Sequence, residues 1–388
     1  MEPSSDSPLF QAPAAFAVDF LKEVTNGSCG AVCCSPFSVS VCLAMLYAGA
    51  KGETRKEIKK LLAAGRRVKD GDIHAYFSEF LDQILKRTDR YSNVSRDYMF
   101  VLETANKLFI KEGLTLQESY ERIVNEEYCG MMEQVDFNEA ETVCKKINDW
   151  VTKSTHGMIK ESLKDVNPNL AIMMLNAVYF NSKWEHEFSK DLTKEGDFRI
   201  DEKKTKTVEY LNIKTKFCYY EDKRVQVVRL PYKGEAIANY VFLPKELKDI
   251  GSLFEGFDSE TIVALTQKVK KVTSSKITLK LPKFEVDTEI DMKEILKKLG
   301  MTRSFEVGSA DFSGITSDEP LYIGEAKQNT VIKVNEKGTE AACVTRFGPM
   351  TTGPMRKEKN VKFIADHPSF YLIMKEWTTC VLFAETFT

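Results

Sequence analysis

The sequence has no apolar run approaching the ~18 residues that a membrane-spanning helix requires, so we expect no membrane span. It also lacks a recognisable signal peptide. Its start, MEPSSDSPLFQ, is acidic and polar where a signal needs basic residues, and Asp19 and Lys22 interrupt the apolar stretch that follows. The 55 basic and 57 acidic residues leave a net charge of -2, which predicts no nucleic-acid partner. We therefore expect a cytoplasmic protein, with export or surface exposure without a cleaved signal as the alternative.

The motifs of common enzymes are absent. There is no GxSxG elbow, GxGxxG turn, Walker-type GxxxxGK loop or HExxH helix. The four histidines are far apart in the sequence: His74, His156, His186 and His367. Cys129 with His156 could form a nucleophile and base, but no local signature accompanies them, so an ordinary thiol is the preferred interpretation. We therefore predict that the protein is not an enzyme.

Patterns typical of disulfide frameworks and metal sites are missing as well. The nine cysteines are odd in number and include no CxxC pair, which argues against a disulfide framework and for a reducing compartment. Adjacent Cys33 and Cys34 would point to opposite faces of a strand, so they could not share one metal ion. The sequence predicts neither a metal site nor a cofactor.

Hydrophobic periodicity predicts helices first and a mixture of strands and helices afterwards. Residues 14–25 place apolar side chains at helical spacing, and Ser35-Pro36 supplies a cap and a first-turn proline for a second, buried helix. Further helices are predicted at 51–62, 72–87, 117–127, 139–153 and 289–299, and strands at 101–110, 171–180, 226–243, 276–286 and in a hairpin over 369–387. Because no Gly/Ser linker or repeat divides the chain, we expect one mixed α+β domain over residues 1–388.

The segment 336–360, EKGTEAACVTRFGPMTTGPMRKEKN, is too long for a normal hairpin connection. From Thr339 to Phe347, small or apolar residues alternate with more polar ones. This pattern is typical of a strand that could enter a sheet, as far as Gly348-Pro349. Beyond it, Arg356-Lys357 is the kind of bond that trypsin-like proteases cleave when it is exposed. A solvated surface loop that alternates by chance is the competing interpretation.

Six motifs along the chain make it resemble the serpin family. They are SPFS (35–38), NAVYFNSKWEHEF (176–188), LPKF (281–284), DFSGI (311–315), VNEKGTEAA (334–342) and ADHPSFYLI (365–373), in the order in which serpins carry them. The resemblance covers essentially the whole chain. The ADHP form of the last motif and the missing signal peptide are similar to the ovalbumin-type, largely intracellular branch.

The resemblance implies a serpin fold of three β-sheets and about nine helices, with residues 336–360 as an exposed reactive-centre loop. It also implies a monomer that acts as a suicide-substrate inhibitor. A target serine protease cleaves the loop, and at the acyl-enzyme stage the loop inserts as a strand into the main sheet. The protease is distorted and stays covalently trapped, because deacylation fails when its catalytic groups are misplaced.

Site residues carry over from the matching motifs. The hinge of the loop corresponds to Glu336, Gly338, Thr339, Glu340, Ala341 and Ala342. The resemblance implies that Thr339 is the first of them to be buried on insertion, and the small hinge residues favour an inhibitory serpin over a non-inhibitory chaperone or carrier. The shutter beneath the sheet and the breach at the insertion point correspond to Ser35, Ser38, Asn176 and Trp184. Gln328 stands where a shutter histidine is usual, so the pH dependence of an imidazole is absent there.

The bond that the protease cleaves depends on where the loop is counted from. Counting back from Phe363 gives Met355 or Arg356, and we select Arg356-Lys357 because an arginine satisfies a protease pocket with a buried carboxylate. Counting forward from Glu336 gives Thr352-Gly353, which suits an elastase-like pocket. A cysteine protease is a further candidate target, since the mechanism requires only an acyl-enzyme.

Two basic segments make a sulfated glycosaminoglycan a candidate ligand. One is KVKKVTSSK at 268–276, and the other contains Lys86, Arg87 and Arg90. The competing interpretation is that these charges are simply solvated, as charge runs on protein surfaces usually are.

Overall fold

The computed structural model describes residues 9, 11–26, 30–90, 101–249, 252–339, 361–376 and 378–388, without the side chains of 83–90 and 101–105. Part of the predicted site lies outside these residues. The predicted residues concerned are Glu340, Ala341, Ala342, Thr352, Gly353, Arg356 and Lys357. The side chains of Lys86, Arg87 and Arg90 lie outside the described part as well.

The described residues form eight α-helices, against about nine expected. They are α1 (Ala12–Asn26), α2 (Pro36–Gly49), α3 (Gly52–Leu62), α4 (Asp70–Arg90), α5 (Glu118–Glu127), α6 (Ala140–Ser154), α7 (Ser259–Lys271) and α8 (Met292–Lys298), with 3-10 turns at Lys190–Leu192 and Arg303–Phe305. The start of α2 is the predicted one. The Ser35 hydroxyl accepts a hydrogen bond from the Ser38 amide, and Pro36 occupies the first turn, where its missing N–H costs nothing.

The strands form a six-stranded sheet and a nine-stranded network. They are β1 (Val32–Cys34), β2 (Val101–Lys111), β3 (Met132–Val135), β4 (Ile172–Lys183), β5 (Lys194–Arg199), β6 (Thr205–Glu221), β7 (Val225–Pro231), β8 (Ile237–Pro244), β9 (Ser275–Pro282), β10 (Phe284–Asp291), β11 (Ile323–Val334), β12 (Gly338–Thr339), β13 (Val361–Ile364), β14 (Ser369–Lys375) and β15 (Val381–Phe387). The six-stranded sheet has the order β10-β11-β12-β4-β2-β3. The network has the order β1-β15-β14-β8-β7-β6-β9-β13, with β5 added beside β6.

The long strand β6 belongs to two sheets at once. Its first part pairs with β5 and β9, and its last part pairs with β7. The nine-stranded network therefore consists of two sheets joined by one shared strand. Together with the six-stranded sheet, these account for the three sheets that the sequence predicts.

Three predicted elements differ from the structure. The predicted strand 276–286 is divided at Lys283 into β9 and β10, which belong to different sheets. The predicted strand 226–243 is the pair β7 and β8, because the chain turns between them through Gly234, whose φ of 81° suits glycine. The predicted helix 289–299 begins only at Met292. The strand β10 continues to Asp291, whose side chain then caps α8, so the first residues of the predicted helix belong to the strand.

The six-stranded sheet is covered on both faces, which is why β4 is an almost continuous apolar run. Its odd-numbered residues, such as Met173 and Leu175, pack with Ile147 of α6 in a smaller core. Its even-numbered residues, such as Met174, belong to the main core, which also contains α2 and the C-terminal strands. Asn176 is therefore a polar side chain in the middle of the main-core face.

Candidate functional site

The short strand β12 lies between β4 and β11 at one end of the six-stranded sheet. On the β4 side, Gly338 pairs with Lys183 and Thr339 pairs with Ser182. On the β11 side, Thr339 pairs with Val334. Further along, β4 and β11 pair directly with each other in parallel. The two strands therefore part at one end only, and the first residues of the predicted hinge fill the opening.

Gly338 occupies a position where the backbones approach too closely for a side chain. A Cβ atom added there would lie 2.0 Å from the Ser182 carbonyl oxygen and 2.7 Å from the Lys183 Cα. Both obstacles are backbone atoms of a central strand, so neither can move without disturbing the sheet. Glycine is required here by space, and any larger residue would push β12 away from β4.

Thr339 is already inside the sheet in this structure. Its side chain is fully buried, and its Oγ1 lies 2.7 Å from the Tyr232 hydroxyl, with which it shares a hydrogen bond. The serpin resemblance implies that Thr339 is buried when the loop inserts. In this structure Thr339 already pairs with both neighbouring strands, at the last described residue before the rest of the predicted loop.

Trp184 forms the wall of this opening. Its ring stacks on Tyr232, with centroids 4.5 Å apart and an interplanar angle of 10°. The indole Nε1 donates a hydrogen bond to the Asn335 carbonyl over 3.0 Å, and the Trp184 amide donates to the Lys337 carbonyl over 2.9 Å. The tryptophan therefore fixes the backbone that leads from β11 into the hinge.

Glu336 is a buried carboxylate at the base of the hinge. Its Oε1 accepts hydrogen bonds from the Thr193 hydroxyl, at 2.9 Å, and from the Lys283 ammonium, at 3.2 Å. Burial raises the pKa of Glu336, but the hydrogen bonds from its own backbone N–H, Thr193 and Lys283 outweigh burial and lower it overall. The Glu336 carbonyl also accepts a bond of 2.7 Å from the Phe188 amide. Through its carboxylate and its backbone carbonyl, Glu336 thus ties the hinge to three separate segments.

The predicted shutter residues meet on the main-core face of the sheet. Gln328 is registered opposite Asn176 in the parallel pair of β11 and β4. Asn106 is registered opposite the same Asn176 in the antiparallel pair of β2 and β4. Side chains directly opposite each other share a face, so three amide side chains form a row across three strands. All three are buried.

The Gln328 amide connects this row to the start of α2. Its Oε1 accepts a hydrogen bond of 2.9 Å from the Ser35 amide, and its Nε2 donates one of 3.1 Å to the Ser35 carbonyl. The same Nε2 donates to Asn176 Oδ1 over 2.5 Å. The Ser35 hydroxyl in turn donates to the Leu382 carbonyl of β15 over 2.7 Å. The Gln328 side chain therefore forms three hydrogen bonds, two with the backbone of Ser35 and one with the side chain of Asn176.

Asn106 completes the row, and the sequence analysis does not identify it. Its Oδ1 accepts hydrogen bonds from Asn176 Nδ2 and from the Ser38 hydroxyl, the latter over 2.9 Å. Its Nδ2 is buried and has no hydrogen-bond partner among the described residues. The available signal is an asparagine between the apolar positions of the predicted strand 101–110. Only the register with Asn176 shows what that asparagine contacts.

Two buried hydroxyls flank the place where β4 and β11 part. Ser182 Oγ on β4 and Thr330 Oγ1 on β11 have no hydrogen-bond partner within the described part of the chain. Thr330 is the last β11 residue registered directly with β4, opposite Val178. Like the Asn106 Nδ2 in the same sheet, these two hydroxyls are buried without a hydrogen bond, which costs the present arrangement of the strands free energy.

The described residues can also be examined for a metal site, a membrane span and the basic segment of the candidate glycosaminoglycan site. These residues contain no group of three or more His, Cys, Asp or Glu side chains that could hold a metal ion. None of their helices is long and apolar enough to cross a membrane. In the basic segment 268–276, Lys270 turns inward and donates a hydrogen bond of 2.5 Å to the Glu376 carbonyl. That lysine is therefore engaged within the fold.

Comparison with known proteins gives the family. The family model described as "Serpin (serine protease inhibitor)" matches residues 11–387. The chain belongs to the serpin family. Serpin B6 of Macaca fascicularis is 33% identical over 386 residues, which cover 98% of this chain and 99% of the relative. Human Serpin B8 is 30% identical over 385 residues, which cover 98% and 99%.

A solved structure agrees with this membership. Serpin48, described as a highly specific serpin in the insect Tenebrio molitor, matches with a TM-score of 0.80 and 27% identity over 99% of each chain. The predicted serpin fold and its mixed α+β architecture are thereby confirmed. The predicted placement in the ovalbumin-type branch is confirmed by the B-type relatives. In this serpin the residues predicted as hinge, breach and shutter gather along the boundary between β4 and β11.

Proposed function

We propose that this serpin, as one domain of residues 1–388, is a monomeric cytoplasmic inhibitor that covalently traps a trypsin-like serine protease. The serine Oγ of the protease attacks the carbonyl carbon of Arg356, the Arg356–Lys357 bond breaks, and the amine of Lys357 leaves with the proton. Arg356 is then held as an ester on the protease. The chain itself supplies no catalytic residue and is consumed.

The observation that carries this proposal is the position of β12. Gly338 and Thr339 already pair with β4, and Thr339 with β11, so the described end of β12 lies at the boundary between those strands. Extending β12 would make it a full strand between β4 and β11. Each added residue gains backbone hydrogen bonds to strands on both sides, each worth roughly 0.5–1.5 kcal/mol net.

Insertion must separate β4 from β11, and the shutter bears on the cost of that step. The parallel ladder from Ile323–Ile172 to Thr330–Val178 has to open. The hydrogen bond between Gln328 and Asn176 crosses this ladder, so it must break or find new partners. Since Gln328 keeps two bonds to Ser35 and Asn176 keeps one to Asn106, neither amide is left without a partner when the strands part.

The target class is tested by the products. Wild-type protein is incubated separately with trypsin, with elastase and with papain, the mixtures are separated on SDS gels, and the mass of the released C-terminal fragment is measured by mass spectrometry. We expect an SDS-stable complex with trypsin and a fragment that starts at Lys357. A fragment starting at Gly353 would assign the bond to Thr352 and favour an elastase-like target. Complex formation with a papain-like enzyme alone would favour a cysteine protease.

The insertion mechanism is tested by Thr339→Arg. Thr339 is fully buried, and burying a guanidinium at this position costs several kcal/mol, so the hinge would leave the sheet and insertion would slow. Hydrolysis of the acyl-enzyme then wins, and the inhibitor becomes a substrate. We expect at least a tenfold fall in the ratio of complex to cleaved protein at a fixed protease concentration.

Two variants control this experiment. Thr207→Arg makes the same chemical change at an exposed position of β6, so it should leave the ratio unchanged. Thr339→Ser keeps a hydroxyl for Tyr232 and should retain most of the complex. If Thr339→Arg forms complex at the wild-type yield, insertion through this hinge is not the mechanism, and a non-inhibitory carrier or a tight-binding loop becomes the better account.

A further inference from the structure

We propose that the solvent-facing side of β6, β9 and β13 is a docking surface for an acidic patch on the target protease. We call it the lysine face and define it by five residues: Lys214, Lys216, Lys276, Lys280 and Lys362. The inference rests on the proposed function, because the partner is the protease that the loop captures. The lysine face is a second contact, separate from the cleaved bond, and it determines which proteases associate rapidly with the serpin.

The register of the three strands brings these lysines together. Lys216 of β6 is opposite Lys276 of β9. In the next row, Lys214 is opposite Thr278, which is in turn opposite Lys362 of β13. Directly opposite residues share a face, and so do residues two apart along a strand, so both rows face the same side. A third row adds Lys280 on that side.

The other side of the same strands is core, which fixes the lysines outward. Ile277, Leu279 and Leu281 of β9 alternate with the lysines and are at most 1% exposed, and Phe363 of β13 is fully buried. Moving any of these lysines to the inner side would require a one-residue slip that exposes the whole apolar set. The lysine face is therefore a rigid feature of the sheet.

Four of its five lysines have no counter-charge within the described part of the chain. No carboxylate there lies within ion-pair distance of Lys214, Lys276, Lys280 or Lys362, whereas many other lysines of this chain have such a partner. The Lys280 ammonium lies 3.8 Å from the centroid of the Tyr210 ring instead. Four ammonium groups without a counter-charge on one rigid face add no ion pairs to the fold, which favours a role in binding.

The lysine face lies close enough to the proposed cleavage site to contact a bound protease. Strand β13 begins at Val361, and Lys362 follows Arg356 by only six residues, which span at most about 20 Å of extended chain. A globular protease of some 200 residues is wider than this, so a protease bound at Arg356 extends over neighbouring surface. Ile364, which is 36% exposed and pairs with Lys280 of the lysine face, adds an apolar contact that suits a protein better than a polysaccharide.

A docking surface of this kind acts on the rate of encounter. Complementary charge patches raise association rates by roughly 10- to 1000-fold at low ionic strength, and salt removes the effect. The later steps, cleavage and loop insertion, take place at the other contact. We therefore expect the lysine face to change how fast the complex forms and to leave its final yield unchanged.

The test is the double substitution Lys214→Glu with Lys276→Glu. Lys276→Glu places a carboxylate opposite Lys216, so the sheet is not weakened. Association rates are measured with anionic trypsin and with cationic trypsin between about 20 mM and 500 mM salt. For anionic trypsin, the variant should associate at least tenfold more slowly at low salt and match the wild type at high salt. For cationic trypsin, it should associate no more slowly than the wild type.

The control carries the same change in net charge at another place. Lys145 and Lys153 are exposed on α6, and reversing both to Glu should change the rate with anionic trypsin less than twofold. The proposal is overturned if both double variants slow the reaction equally, since net charge alone would then account for it. It is also overturned if the Lys214/Lys276 variant differs from the wild type only when a sulfated polysaccharide is added, which would make the face a polyanion site. Failure of the wild type to form any SDS-stable complex would instead refute the proposed function.

Discussion

The hairpin of β14 and β15 and the boundary between β4 and β11 are both buried, but different interactions hold them. In the hairpin, Phe370 stacks on Phe242 of β8 with ring centroids 4.6 Å apart, and Phe254 and Phe257 contact the same ring. At the boundary, apolar pairs such as Met174 and Ala326 meet at one end of the main-core face, but its middle is held by amides, with Asn176 at the centre.

The difference between apolar contacts and hydrogen bonds determines which pair of strands can separate. Apolar contacts are lost outright when two strands separate, because water is no substitute partner for a phenyl ring. Amide groups can exchange one hydrogen bond for another at little net cost, provided that a partner is at hand. The boundary of β4 and β11 can therefore open while the hairpin stays closed. Ser35 links the two regions, since it bonds both to Gln328 and to the Leu382 carbonyl of β15.

The largest effect is expected from breaking the hairpin. Phe370→Ala removes a fully buried ring that contacts three other phenylalanines, and such a change costs about 3–5 kcal/mol of unfolding free energy. Because β14 and β15 belong to the nine-stranded network and not to the sheet that contains β4 and β11, the loss should be the same in the intact protein and in protein cleaved within the loop. Urea unfolding of both forms measures it.

The milder change Phe370→Leu, with a smaller loss in both forms, is the matched control for folding. The cleaved wild type should itself be far more stable than the intact one, since the loop has become a strand. If Phe370→Ala weakens one form much more than the other, the hairpin takes part in the movement and the comparison is wrong.

Local chemistry in the sequence accounts for much of this fold. The cap at Ser35, the helices and the closing hairpin could be predicted from short patterns, because each depends on neighbouring residues. The resemblance to the family pointed to the predicted hinge residues, to Trp184 and to two of the three amides in the row, Asn176 and Gln328. Asn106 could not be found in that way, because its contact with Asn176 depends on the register of two strands far apart in sequence.

The physical roles of two other residues could be understood only from the structure. Gly338 could be assigned to the hinge from its motif, but the reason for a glycine is a carbonyl of β4 at 2.0 Å from its missing Cβ. Glu385 appeared in the sequence as one polar residue in an apolar strand. Its complete burial depends on β1 and β14 covering it from both sides.

A second test concerns Glu385, a buried carboxylate in the otherwise apolar hairpin of β14 and β15. Both carboxylate oxygens are buried without a hydrogen-bond partner among the described residues, and burial raises the pKa of Glu385 to about 8. Cys33 and Tyr371 are registered on either side of it, and burial raises the pKa of both of those groups, so they stay neutral near pH 7. The folded state therefore holds a proton that the unfolded state releases above about pH 4.5.

The sign of the resulting pH dependence follows. Between about pH 4.5 and pH 8 the folded state binds more protons, so the unfolding free energy falls as the pH rises, by roughly 2 kcal/mol from pH 6 to pH 8. Glu385→Gln keeps a neutral group of the same shape and should remove this slope. Urea unfolding of both proteins at pH 5, 6, 7 and 8 measures the difference. Parallel slopes for the two proteins would show that Glu385 does not titrate in this range.

The smallest effect is expected at the boundary itself, from Gln328→His. A neutral imidazole has one donor and one acceptor, whereas the Gln328 amide makes three hydrogen bonds, so one bond is lost at a cost of about 1 kcal/mol. The loss should appear in the intact form and shrink in the cleaved form, where β4 and β11 have parted and the bond to Asn176 is already broken.

The same variant should acquire a pH dependence that the wild type lacks at this position. Burial disfavours the charged imidazole, so the folded-state pKa of the new histidine lies below its unfolded value of about 6.5. The unfolding free energy of the intact variant should then fall, relative to wild type, as the pH drops below that value, by at most ~1.4 kcal/mol per pH unit. Urea unfolding of wild type and variant at pH 8 and pH 5, in intact and cleaved protein, gives the four differences in unfolding free energy that are needed.

Gln328→Asn, which keeps an amide but shortens the side chain, is the control. It should lose stability equally at both pH values. If the intact Gln328→His protein shows no added pH dependence, water reaches the boundary between β4 and β11. The boundary would then not be buried in the way that the hairpin is.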